Sequence, residues 1–267
     1  MKKIVKEIQN HSVIHGRVIC NEVLKANNRK LPPVRISDNV YPVTVLDRPG
    51  YNNCTLKSLK FIEGEIKMLF VDKYKKWISK IETLSNFIEE NYKKLPEYIL
   101  YIDGIDTLIL KDIKGIPSLL DRYGCKVLFN HEPAFWGTGN PQPGNIPGYY
   151  DKLFYDVKSE YVNKLNSKFS FTKKLEFSLN AGAFVGEKNY VLGLLNETLQ
   201  YMEDSTDKGF PYGCQDDQLI LKYLHNKYFD DISIDIYNEF FFWGAKQTLE
   251  ENDKYFEPNC IKKHFTK

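Results

Sequence analysis

Paired cysteines are what this sequence most clearly lacks. Its five cysteines, Cys20, Cys54, Cys125, Cys214 and Cys260, are odd in number, and no two stand in a CxxC arrangement. Neither a disulfide framework nor a zinc knuckle is signalled, and a reducing compartment is the simpler expectation. Charge of one sign is also missing: 37 basic side chains stand against 35 acidic ones, a net +2. No global field draws nucleic acid or an anionic membrane, so any anionic ligand has to be held locally. No apolar run is long enough to span a bilayer. The opening MKKIVKEIQNHSVIHG carries basic residues without an apolar stretch of signal-peptide length. The expectation is a cytoplasmic protein with no nucleic-acid partner and no transmembrane segment. A glycine-rich Walker loop is absent too, which counts against P-loop chemistry.

What is present describes a globular chain. Its 267 residues, 42% hydrophobic and 27% charged, can bury a sizeable core. Residues 1–40 are polar, end in KLPPVRISDN, and read as an N-terminal extension packed on a main domain of residues 41–267. From there strand-like and helix-like segments alternate, which predicts an α/β fold with a central, mostly parallel sheet flanked by helices. Strands are expected at YPVTVLD (41–47), EIKMLFV (65–71), YILYID (98–103) and CKVLFN (125–130). Helices are expected near 53–61, over Lys73–Lys94 with Trp77, Ile81, Leu84 and Ile88 on one face, over 116–123, and over 190–204. Residues 133–150, PAFWGTGNPQPGNIPGYY, form a long stretch of proline, glycine and aromatics, a composition commonly given to functional loops.

Four segments carry candidate chemistry. In YILYIDGIDT an apolar strand runs into Asp103 and Asp106, with Gly104 between them. In open α/β sheets ligands bind at the carboxyl ends of strands, and two carboxylates there make a hard-oxygen site for Mg²⁺ or Mn²⁺. Gly104 would let a phosphate or sugar approach the backbone. The same residues also suit a solvated turn after a strand. A dehalogenase-type phosphatase would have one residue between its aspartates, where this chain has two. In VLFNHEPAFW, Glu132 and Trp136 pair a hydrogen-bond acceptor with a flat indole that suits a sugar ring. In SLNAGAFVG, Asn180 and Gly182 fit either close approach of a hydroxylated ligand or a packed strand with a bulge. In GCQDDQL, Asp216 and Asp217 are either helix caps or acids facing an acceptor, one of them poised as a base.

Taken in order, strand-DxxD, strand-E-x-x-x-W, LNxGxFxG, DDQ and a late histidine resemble the glycosyltransferase domain of the procollagen lysyl hydroxylase family, with its collagen galactosyl- and glucosyltransferase relatives. The resemblance spans about residues 41–265. It implies a GT-A type fold, a UDP-sugar donor, Mn²⁺ (or Mg²⁺), and a saccharide or hydroxylated protein as acceptor. Asp103, Asp106 and His264 would bind the metal. Asn180 and Gly182 would form the sugar-binding turn; Gly104, from its place between the aspartates, and Asp47, at the end of the first strand, are further candidates for the donor site. Glu132, Trp136, Asp216 and Asp217 would serve transfer. Two positions depart from the family: Ile105 stands where an aromatic is usual between the aspartates, and His264 is followed by Phe265-Thr266 in place of Asn-Gly. A metal-dependent nucleotidyl- or phosphoryl-transferase and a non-catalytic sugar-binding module are the alternatives.

Overall fold

The computed structural model describes residues 11–27, 31, 33–46, 61–64, 66–71, 77–132, 160, 163–165, 167–168, 178–207 and 217–243. Its centre is a six-stranded sheet. In spatial order the strands are β10 (Ile232–Ile234), β8 (Val127–Glu132), β9 (Ser178–Glu187), β6 (Tyr98–Ile102), β3 (Val40–Leu46) and β5 (Lys67–Phe70). Five of them run in one direction, and β9 alone is antiparallel to both of its neighbours.

Apolar residues at successive positions explain why β6 sits in the middle. All five of its residues are buried, and they divide by the strand period of two. Ile99 and Tyr101 enter one core, under α2 (Trp77–Asn91), α4 (Lys188–Asp207) and α5 (Asp217–Lys227). Tyr98, Leu100 and Ile102 enter the other, with α3 (Ile116–Tyr123) and a second, small sheet.

Strand β9 keeps this alternation but changes phase. Leu179 and Ala181 face the first core, and so does Phe184, three positions on. The slip lies where the pairing with β8 jumps from Phe129↔Phe184 to Asn130↔Asn180, a β-bulge in the LNAGAF segment.

Helix α2 ends at Asn91, short of the expected Lys94. Residues 92–94 instead turn before Leu95-Pro96, where the residue preceding proline is kept out of helical geometry. The Lys188 ammonium closes this end by donating to the Tyr92 and Leu95 carbonyls, 2.7 Å each. Helix α4 begins at Lys188, two residues before the expected start.

Residues 11–40 are interleaved with the rest. Strand β1 (Val13–His15) is the middle strand of the small sheet, parallel to β11 (Phe241–Trp243) and antiparallel to β7 (Thr107–Ile109). Helix α1 (Arg17–Ala26) follows it and buries Ile19, Cys20, Val23 and Leu24. A two-stranded pair, β2 (Val34–Arg35) and β4 (Ile62–Glu63), completes the described strands. Entry into β11 is held by Asp235. Its fully buried carboxylate accepts from the Tyr123 hydroxyl (2.5 Å) and from the backbone N–H groups of Glu239, Phe240 and Phe241 (2.9, 2.8 and 2.7 Å). No helix among the described residues is long and apolar enough to cross a membrane.

Candidate metal centre

The DxxD segment is the turn between β6 and β7, at the carboxyl end of the central strand. Each aspartate has its backbone pinned. The Asp103 N–H donates to the Gly182 carbonyl in the β9 bulge (2.7 Å), and the Asp106 carbonyl accepts from the Gly16 N–H (2.8 Å). The Tyr101 hydroxyl (3.4 Å) and the Gly104 N–H (3.2 Å) both point at Asp103 Oδ1. Gly104 itself has a packing task. A Cβ there would lie 2.7 Å from the Val45 carbonyl oxygen and closer still to the Leu46 side chain, so only glycine lets the turn press on the end of β3. The side of Gly104 on which a Cβ would stand is filled by β3.

A third group arrives from a direction the sequence does not indicate. The β1–β7 register sets His15 opposite Thr107, the residue after Asp106. The buried imidazole brings Nε2 to 3.2 Å from Asp106 Oδ1, and its Nδ1 lies 3.4 Å from the Asn130 side-chain amide on β8. Gly182 makes the room: a Cβ at that position would be 2.6 Å from His15 Nε2 and 2.9 Å from Nδ1. Burial opposes ionisation of Asp106, but the charge and hydrogen bond of His15, helped by Arg17, outweigh it and hold the carboxyl below its usual range.

His15, Asp103 and Asp106 each offer one donor atom, and all three atoms lie within 4.8 Å of one another. Ligands about 2.1 Å from an octahedral cation stand about 3.0 Å apart when adjacent and about 4.2 Å apart when opposite. The three donors are thus near enough that the cluster could hold one divalent ion, and two carboxylates with one imidazole are a donor set that a metal takes.

The remaining expected residues divide by place. Asn180 is buried, and its Oδ1 accepts from the Gly182 N–H at 2.9 Å, an Asx-type turn that shapes the bulge. Gln218 ties the start of α5 to the same bulge by accepting from the Ala181 N–H (3.1 Å). Asp217 opens α5, almost fully buried and ion-paired with Lys80 of α2. The Lys80 ammonium also stands 5.6 Å over the Tyr101 ring. Burial first, and then the charges of Asp103 and Asp217, push the Tyr101 hydroxyl well above its usual range. Glu132 ends β8 opposite Ser178, and only its backbone is described. Asp47, Trp136, Asp216, His264, the 133–150 stretch and the expected 53–61 helix lie outside the described residues.

Sequence reasoning misses His15, Asn130, Tyr101 and Lys80 as members of this neighbourhood. The one usable signal is Val13-Ile14-His15-Gly16, a short apolar pair running into a histidine and a turn residue. No protein-family model matches the chain, and no curated protein is significantly similar to it.

Proposed function

We propose that this chain is a metal-dependent glycosyltransferase of GT-A type, transferring a hexose, galactose or glucose, from a UDP-sugar to a hydroxyl acceptor. One observation carries the reading: Asp103 and Asp106 converge, beside a nitrogen donor, at the carboxyl end of the central strand of a mostly parallel sheet. That is where such sheets bind ligands, and the ordered DxxD, E-x-x-x-W, LNxGxFxG and DDQ segments agree with it. Asp103, Asp106 and His15 would hold the cation. A divalent cation bound there supplies Lewis-acid stabilisation of the departing nucleotide diphosphate.

The chain's own part is positioning. The β9 bulge fixes Asp103 through the Gly182 carbonyl, and Gln218 fixes the bulge to α5. Asp217 then stands on the Tyr101 side of the site, with Lys80 balancing its charge. A carboxylate so paired is suited to orienting sugar hydroxyls. The base for the acceptor falls to its neighbour Asp216 or to Glu132, and Trp136 offers the acceptor sugar a flat face.

The test is release of UDP from UDP-galactose and UDP-glucose by purified protein in Mn²⁺, with chelator, Asp103→Asn and Asp106→Asn as controls. Metal-dependent UDP release that both variants abolish, with their circular dichroism intact, is expected. Pyrophosphate release in its place would identify a nucleotidyltransferase. No turnover beside tight sugar binding would identify a binding module.

A further inference from the structure

Resting on the metal reading of the two aspartates, we propose that His15 is the nitrogen ligand of this site. We propose also that the site consequently takes a first-row transition-metal divalent ion of the Mn²⁺ class in preference to Mg²⁺ or Ca²⁺. The sequence directs attention to His264 for this role, yet the geometry brings a histidine from the opposite end of the chain.

Three features set His15 apart from an ordinary buried histidine. First, its backbone is held on both sides, by Trp243 of β11 and Thr107 of β7, and the next residue donates to the carbonyl of Asp106 itself. The backbones that carry the ring and the aspartate are thus hydrogen-bonded to one another, which fixes the points from which the two side chains meet. Second, the ring lies over Gly182 of β9, which has no side chain to displace it and whose carbonyl holds Asp103. One glycine therefore seats the imidazole with its side-chain-free face and the first aspartate with its backbone. Third, the Asn130 amide nitrogen stands on the Nδ1 side, so Nε2 is the nitrogen that faces the Asp106 carboxylate.

The 3.2 Å between Nε2 and Asp106 Oδ1 serves two states. Without metal it is a hydrogen bond. With metal it would be the spacing of two adjacent ligands, the cation taking the place of the proton between them, which leaves to solvent from a charged ring and passes to Nδ1 in a neutral one. Two carboxylates and a neutral imidazole balance a 2+ charge and leave about three of six octahedral positions for phosphate oxygens and water. Imidazole favours transition metals, whereas Mg²⁺ and Ca²⁺ favour all-oxygen sets. The nitrogen therefore sets the preference among ions that the carboxylates alone would accept.

The experiment uses the full chain, freed of metal by chelation, and reads metal binding independently of activity. Free Mn²⁺ is followed by its electron paramagnetic resonance signal during titration, Mg²⁺ by competition, and coordinated nitrogen by the ¹⁴N modulation of the spin echo from bound Mn²⁺. The wild type is expected to show ¹⁴N modulation. His15→Ala should lose it and bind Mn²⁺ at least tenfold more weakly, with Mg²⁺ affinity changed less than threefold. His264→Ala should keep both properties. Absence of ¹⁴N modulation in the wild type, which needs no variant to fold, overturns the assignment. So does its persistence in His15→Ala or its loss in His264→Ala. In each of those cases Asp103→Asn still weakens Mn²⁺ binding if the aspartate pair is right. Mn²⁺ binding unaffected by Asp103→Asn and Asp106→Asn, or no binding at all, removes both readings together.

Discussion

Replacing Gly182 by alanine should damage the site and the fold together, by an amount the geometry sets. The new Cβ would lie 2.6 Å from His15 Nε2, and ordinary contact begins at 3.4 Å, so that nitrogen has to retreat by 0.8 Å and the nearer ring carbon by more. His15 cannot retreat by moving its backbone, because β7 and β11 hold it. The ring must rotate instead, and the 3.2 Å contact with Asp106 is lost. Crowding a packed interior costs roughly 1–3 kcal/mol, and a hydrogen bond to a charged group is worth about 1.5–3 kcal/mol. Since the relieved crowding and the lost bond partly substitute for one another, the expected loss is about 2–4 kcal/mol in urea denaturation without metal. Mn²⁺ affinity should fall at least tenfold. Gly193 provides the control within the same chain. It lies inside α4 with nothing within 4 Å of a built Cβ, so Gly193→Ala should be neutral or stabilise by up to about 1 kcal/mol. If Gly182→Ala melts like the wild type and binds Mn²⁺ normally, His15 does not occupy the place described and the site has to be rebuilt without it.

Further outcomes follow from the surrounding packing. Lys80→Ala should destabilise by roughly 3–5 kcal/mol, because Asp217 is left buried without its partner. Adding Asp217→Asn should recover part of that loss in a double-mutant cycle, and strict additivity would deny the pair. Asp235→Ala removes the acceptor of four donors and should cost about 3–5 kcal/mol in denaturant titration, while a loss under 1 kcal/mol would mean water replaces the carboxylate. Burial pushes His131 down to about 4 and His225 down to about 3, so both stay neutral in the folded chain while the unfolded chain takes up protons near 6.5. Stability should therefore fall as pH drops from about 6.5 toward 4, by up to about 2.7 kcal/mol per unit from the two together. Asp235, raised by burial, leans the other way and reduces the net slope. Imidazole resonances of His131 or His225 that titrate near 6.5 in the folded protein would refute the account.

What the sequence makes legible here is local. Tyr98–Ile102 is readable as a central strand because its run of apolar residues has no polar face to give to solvent, and the structure buries all five. Ile116–Tyr123 is readable as a helix, with Pro117 in its first turn and Gly124 just beyond its end, and its bounds are those expected. The turn chemistry of Asp103-Gly-Ile-Asp106 is equally local, so two of the three candidate ligands are visible before any fold is known. The bulge of the LNAGAF segment comes from pairing that no single stretch contains. On the β8 edge the register slips between Phe129↔Phe184 and Asn130↔Asn180, whereas the pairing with β6 runs unbroken from Ala183 to Glu187.

His15 is the harder case, and it shows where such reading ends. Its neighbours in sequence describe a short strand and a helix start, which is what they form. What makes it a candidate ligand is that β1 leaves the N-terminal region to pair with the strand that begins after Asp106, more than ninety positions on. That choice is made by Val13, Ile14, Leu108, Ile109, Phe241 and Phe242, all buried, which give the small sheet its two apolar faces. Hydrophobic pairing thus delivers the imidazole as a by-product of closing the sheet. The residues to alter for controlling the site are therefore not only its ligands. Exchanging Ile14 or Leu108 for a smaller side chain loosens β1 against β7 and should weaken Mn²⁺ binding, although neither residue is a candidate ligand.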